Sequence, residues 1–365
     1  MDKPPETFLE LSDITNNSVI LLSAYHGYRL TDIKKYQNKI IIYALFGEYL
    51  RDDAIESILT NSTNYYIFLN CQQINPAIIK KYKSKATFIR ASTGYSYYSK
   101  NLIDLSATDY NRVTNSIKTK HFLSLNNRAS WPRLGLFYFF NQYDLLNKSY
   151  FSYIGDMERT SLTIEQIDDC IRNVWYNRDL DIDLIKKQIP LYTGLDNFEE
   201  NDWSSGNIEY YQNAFCSIVT ETYCFEEFPF FTEKIFKPIA FCQPFLVHGN
   251  PNSLKELQNM GFKTFNRWWD ESYDELADHK RFEKILTVIL EISLWSVEKI
   301  NSVYQEMIPI LEHNYKNFRE TLPILYDKEI IKIKRHILAI INDIHIQTNH
   351  YTITLAKNPV NNNRS

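Results

Sequence analysis

What this chain lacks narrows its class before any motif is read. Its five cysteines, Cys71, Cys170, Cys216, Cys224 and Cys242, are odd in number and contain no C-x-x-C pair. That spacing excludes a disulfide framework and argues against a zinc site, leaving reduced and mostly buried thiols. A run of about 18 uninterrupted apolar residues, the length of a bilayer-spanning helix, is also missing. The opening residues 1–13, MDKPPETFLELSD, hold no apolar signal core, so the expectation is a soluble cytoplasmic protein with no transmembrane segment. Charge of one sign is absent too: 40 basic residues face 44 acidic ones, for a net charge of −4. Without a broad basic field, general polyanion binding is disfavoured, and nucleic acid is kept only as an alternative partner. No internal repeat or low-complexity segment stands out.

What is present is enough material for two ordinary cores. The 365 residues are 44% hydrophobic and 15% aromatic, with 26 Tyr and 22 Phe. Strand-length apolar runs occur at 18–22, 39–45 and 65–69, and a fourth at 86–89, with helical character at 49–60, at 75–83 and near 30–36. This alternation predicts an N-terminal α/β domain over 1–112. The polar stretch 92–117 reads as a linker. A second α/β domain is expected over 113–325, with a polar segment at 193–214 as a mobile loop. Apolar periodicity in 283–312 and 329–344 predicts helices, leaving 326–365 as a terminal helix and frayed tail.

The most informative stretch is 215–265. Thr232 is a good N-cap, Glu233 falls in the first turn, and Ile235, Phe236, Ile239 and Ala240 repeat as one buried helical face. Lys234 and Lys237 share the opposite face. Pro238, a turn inside, is expected to bend the segment. A helix N-terminus beside an ammonium attracts a diphosphate, and a nearby carboxylate can accept hydrogen bonds from two ribose hydroxyls. After the triplet, 243–248 reads as a strand, Gly249-Asn250-Pro251 as a turn, and Asn252 or Ser253 as the cap of a further helix, followed by a strand at 262–265. Helix, strand, turn, helix, strand is the pattern of a parallel sheet, whose ligands bind beyond the carboxyl ends of the strands, where Glu233 and Gly249 would meet.

Two further segments converge on that edge. Residues 120–125 read as a strand, Asn126-Asn127-Arg128-Ala129-Ser130 as a polar loop, and 131–140 as an aromatic helix carrying Arg133 near its start. Guanidinium forks suit phosphate, so Arg128 and Arg133 are diphosphate candidates, with Asn127 or Asn126 assisting. Residues 216–222 form a buried-type strand ending at Glu221, a carboxylate that can hold a sugar hydroxyl, orient Lys234 or act as a cap. Asp179-Leu180-Asp181-Ile182-Asp183 has Asp-x-Asp spacing, but it lies between helical segments rather than after a strand, so no metal is expected there.

The segment Phe231-Thr232-Glu233-Lys234-Ile235-Phe236, followed by an apolar strand ending in Gly249, resembles the nucleotide-sugar motif of α-1,3-fucosyltransferases and related GT-B glycosyltransferases. The resemblance covers roughly 118–275 and extends to glycosyltransferase-like proteins of bacteria and their viruses. It implies two Rossmann-like domains facing a cleft, an α/β fold with C-terminal helices. It also implies that Glu233 contacts the ribose and Lys234 the phosphates of a nucleotide sugar. The expected donor set is therefore Asn127, Arg128, Arg133, Glu221, Thr232, Glu233, Lys234 and Gly249. The nucleotide sugar would be a co-substrate, with no cofactor and no metal. In that arrangement the first domain lies on the acceptor side, and the general base comes from its strand-end loops: His26, which can titrate near neutrality, is the first choice and Glu48 the second. The expected activity is sugar transfer to a glycan or other hydroxyl acceptor. A viral DNA base as acceptor and a non-catalytic nucleotide- or sugar-binding protein are the alternatives.

Overall fold

A computed structural model describes residues 14–15, 18–23, 36–45, 52–60, 62–70, 74–91, 93–102, 104–128, 130–156, 187–193, 206–224 and 227–356. The chain divides into two compact units, Met1–Tyr97 with Ile324–Ser365, and Tyr98–Pro323. Among the described residues each contains a parallel four-stranded sheet. The protein is thus α/β. No helix among the described residues is long and apolar enough to cross a membrane.

In the first unit, β1 (Val19–Ser23), β2 (Ile40–Leu45), β3 (Tyr65–Asn70) and β4 (Ala86–Arg90) lie side by side in chain order. Helix α1 (Asp52–Thr60) links β2 to β3, and α2 (Pro76–Tyr82), capped by the Asn75 side chain, links β3 to β4. Right-handed crossovers that all step in one direction put their helices on one face. Accordingly Ile41, Tyr43, Tyr66 and Phe68 pack with Ile55, Ile58 and Leu59 of α1 and Ile78 of α2. The alternate residues Ile40, Ile42, Ile67 and Leu69 point the other way. They are covered by Ile333, Ile337 and Ile341, which come from the end of the chain.

The second unit carries the 215–265 stretch. Residues 92–117, expected as a linker, instead form α3 (Thr93–Asn101) and α4 (Ala107–Asn115), and the division between the units falls within α3. Tyr95 and Tyr98, three apart, supply the burial that an aliphatic pattern would have signalled, and Ser106 caps α4 through Asp109 N. Strand β5 (Lys120–Arg128) leads into α5 (Trp131–Gln142), then β6 (Ser149–Asp156), a tyrosine-rich strand that no aliphatic run announces. Helix α6 (Ile208–Asn213), within the stretch expected as a mobile loop, precedes β7 (Ala214–Thr220). Then follow α7 (Glu233–Ala240), β8 (Phe245–His248) and α8 (Ser253–Asn259). Sheet order is β6-β5-β7-β8. The chain steps from β5 to β6 on one side and returns across β5 to β7 on the other, so the direction reverses between β5 and β7.

Two local expectations fail for identifiable reasons. Asn126 to Arg128 continue β5 through a bulge rather than forming a loop, because β6 extends far enough to pair with them, Asn126 opposite Tyr153 and Arg128 opposite Asp156. Residues 262–265 are not a strand. The Asn314 side-chain amide accepts from Lys263 N at 2.8 Å and donates to Lys263 O at 2.9 Å, so one asparagine takes the hydrogen-bonding place of a neighbouring strand. Asn314 belongs to α10 (Val297–Lys316), which follows α9 (Asp278–Ser293). A π-helical turn, Asn317–Thr321, then joins α11 (Leu322–Ala356), the terminal helix expected within 326–365.

Candidate functional site

The candidate site lies at the carboxyl edge of the second sheet, where the strand order reverses. Adjacent parallel strands connected in opposite directions leave a crevice between their outgoing loops, and β5 and β7 are such a pair. Arg128 ends β5 at this edge, and Glu221 follows β7.

Thr232 is the N-cap of α7, as its position predicts, with extended backbone at φ −114° and ψ −175°. Its hydroxyl accepts from Lys234 N at 3.4 Å and from Lys234 Nζ at 3.2 Å, and donates to Glu221 Oε2 at 2.5 Å. Thr232 N donates to Glu221 Oε1 at 3.2 Å. One hydroxyl therefore uses its donor and both lone pairs. Of the three roles open to Glu221, the geometry fills the structural one. It is only 2% exposed, and each carboxylate oxygen is turned to Thr232 rather than outward. Burial raises its pKa, against the Lys234 charge and the Thr232 hydrogen bonds.

Glu233 and Lys234 face each other across the start of α7, with Nζ 2.7 Å from Oε1 and side chains 23% and 30% exposed. Burial pushes Glu233 upward, but Lys234 and the backbone N–H at its own position outweigh it and hold the carboxyl below its ordinary range. Lys234 Nζ also reaches Thr222 Oγ1 at 3.4 Å. Pro238 does not break α7, whose eight residues end in a turn at Phe241, and Gln243 N closes onto Pro238 O at 2.8 Å. On the buried face Phe236 stacks between Tyr98 and Phe318.

Gly249 meets Glu221 rather than Glu233. A Cβ at Gly249 would lie 2.7 Å from Ser253 Oγ, too close without a shift of that hydroxyl, and in ordinary contact with Glu221 Cγ at 3.7 Å. Glu221 N donates to His248 O at 3.0 Å, extending the strand pairing one step beyond β7. His248 packs between Trp131 and Phe282, and burial, then Arg281 and His279, push its pKa down to about 3, so its ring is neutral.

The remaining expected residues are placed unevenly. Asn127 is exposed at the end of β5, and the Arg128 backbone ends the strand at the same edge. Arg133, read as a fork for phosphate, is 5% exposed and donates Nη2 to Thr220 O at 3.2 Å, so it braces the end of β7 immediately before Glu221. His26, Glu48 and the Asp179–Asp183 triplet lie outside the described residues.

Sequence patterning missed the scaffold behind these groups. Neither Asn252 nor Ser253 caps α8 with its side chain: Asn252 sits at φ +62°, and the Asp274 carboxylate instead accepts from Leu254 N at 2.8 Å and Lys255 N at 3.1 Å. A cap borrowed from 20 residues downstream leaves no local signature. Buried Asn250 donates to Phe228 O at 2.7 Å, and buried Arg281 donates to Cys224 O at 2.9 Å, so both ends of the loop before Thr232 are pinned. Glu271 accepts from Phe265 N at 2.6 Å, while burial raises its pKa to about 7.

No protein-family model matches this chain, and no curated protein matches it at a significant level. Among solved structures, the N-terminal domain of Candida albicans trehalose-6-phosphate phosphatase is similar at a TM-score of 0.38 and 9% identity, over 88% of this chain and 72% of that one. That likeness is too remote to bear on fold or function.

Proposed function

We propose that this chain is a GT-B-like glycosyltransferase of the α-1,3-fucosyltransferase type, transferring a sugar from a nucleotide-sugar donor to a glycan or other hydroxyl acceptor without a metal. The observation that carries the reading is the meeting of Thr232, Glu233, Lys234 and Gly249 beside Glu221 at the carboxyl edge of a sheet whose order reverses. Parallel sheets bind nucleotides at that edge, and the start of α7 offers both a cation and a carboxylate. In this reading the Lys234–Glu233 pair is the resting state of the donor site. Both side chains keep part of their surface open to solvent, at 30% and 23% exposure for Lys234 and Glu233, so a ligand can reach the pair. Diphosphate then takes Lys234 and Arg128, and the ribose hydroxyls take Glu233. Glu221 and Arg133 act behind them, fixing Thr232 and the end of β7. Departing diphosphate is stabilised by the same cations, and the acceptor proton is assigned to His26, or to Glu48, in the segments that follow β1 and β2.

Thermal-shift measurements with nucleoside diphosphates and nucleotide sugars, with and without chelator, test the reading. A matching nucleotide raises the melting temperature of the parent, and Lys234→Ala or Arg128→Ala removes the rise. If both variants respond as the parent does, the assigned donor site is wrong. Stabilisation that vanishes with chelator would transfer the case to a metal site. Hydrolysis or transfer of any stabilising donor then separates an enzyme from a binding protein.

A further inference from the structure

We propose that the outward face of α11 is a docking surface for an anionic membrane, on which the protein lies without spanning it. Helix α11 has two apolar faces. Ile333, Ile337 and Ile341 are buried against the first sheet. On the other side Ile324, Ile331 and Leu338 are 56%, 51% and 45% exposed. Seven-residue spacing brings these three to nearly one line along the helix. Isolated exposed aliphatic residues are ordinary, but a row of them over four turns of one helix face is not.

Charge identifies the occupant. Lys328 lies four residues after Ile324 and three before Ile331, and Arg335 bears the same relation to Ile331 and Leu338, so exposed cations alternate with the apolar row. Lys332 continues the basic edge. Asp327 and Lys334 border the opposite side with opposite charges. A local basic row on a chain of net charge −4 selects an anionic partner. A second copy docked face to face would set that row against itself. Phosphate backbones would satisfy the cations but leave the aliphatic row in water. An anionic lipid surface satisfies both: the isoleucines and leucine enter the headgroup boundary, while the lysine and arginine stems reach outward to lipid phosphates. Partial insertion agrees with the lack of a membrane-spanning helix among the described residues.

The test is co-sedimentation of the full chain with phosphatidylcholine vesicles, with and without phosphatidylserine, at low and high salt. The parent is expected to pellet with the anionic vesicles only and to be released by salt. Each basic residue at such a surface contributes about fivefold, so Lys332→Gln with Arg335→Gln lowers the partition about 25-fold. Ile331→Ser with Leu338→Ser abolishes it. All four positions are exposed, so circular dichroism and the melting temperature of both double variants should match the parent's. The proposal is overturned if the parent stays in solution with anionic vesicles, binds neutral vesicles equally, or binds undiminished in either double variant. It is also overturned if light scattering shows a dimer that Ile331→Ser with Leu338→Ser dissolves, which would assign the row to a second copy. The experiment needs no nucleotide, so its outcome is independent of the donor site.

Discussion

The two sheets have the same number of strands, all parallel, yet they are closed and furnished differently. The first runs β1-β2-β3-β4 without reversal, is apolar on both faces, and borrows its second cover from the far end of the chain. The second runs β6-β5-β7-β8, and its reversal opens an edge where buried polar groups, Glu221, Arg133, Asn250, Asp274 and Arg281, hold loops and helix ends in place. Strand order alone decides where outgoing loops diverge. Among the described strands only the second sheet has such a point, and the motif at 231–236 lies beside it.

If this contrast is right, each unit should fail in its own way. The largest effect is expected at Ile337, wholly buried between α11 and the first sheet: Ile337→Ala should cost about 2–5 kcal/mol. Hydrogen exchange should show the lost protection in β1–β4. Loss spread equally over β5–β8 would mean that the units do not fail separately.

Glu271 tests the polar scaffold through pH. Folded Glu271 keeps its proton up to about 7, whereas its ordinary value is 4.5. Between those values the folded chain binds the extra proton, so stability falls as pH rises, by up to about 3 kcal/mol. Below 4.5 both states are protonated and the difference is flat. Denaturant titrations across this window should show the slope, and Glu271→Gln should flatten it. An unchanged slope in the variant would assign it to other groups.

A smaller effect is expected at Gly249. Gly249→Ala forces its Cβ onto Ser253 Oγ and should cost about 1–3 kcal/mol, weakening nucleotide binding in parallel. Adding Ser253→Ala should recover part of the loss, because the Ser253 Cβ lies 3.5 Å away. No recovery would place the conflict elsewhere in the turn. Smallest of all is Lys234→Ala. Its side chain is 30% exposed at the start of α7, so the fold should persist while the nucleotide-induced shift disappears. A large loss of stability would make Lys234 a structural residue and blunt the distinction between scaffold and site.

Much of the architecture was readable where one periodicity dominates. The four strands of the first sheet appear within a residue or so of their aliphatic runs, and Thr232 caps α7 as its residue type and position require. What escaped detection depends on partners distant in sequence. Strand β6 and helix α3 bury tyrosines, which an aliphatic pattern does not count. The α8 cap comes from Asp274, and the false strand at 262–265 is satisfied by Asn314. In the candidate site, the position of Thr232, Glu233 and Lys234 at the start of α7 was legible because capping is local. The inward roles of Glu221 and Arg133 were not, since burial is decided by the loops that fold over them.

The return of α11 to the first sheet has a consequence for biosynthesis. Residues 98–323 form a continuous body that can assemble as soon as they leave the ribosome. Strands β1–β4 emerge earlier yet wait, one greasy side uncovered, until Ile333, Ile337 and Ile341 are made. The first sheet is therefore completed after the central body, and a chain cut before Ile333 would leave that sheet in an aggregation-prone state.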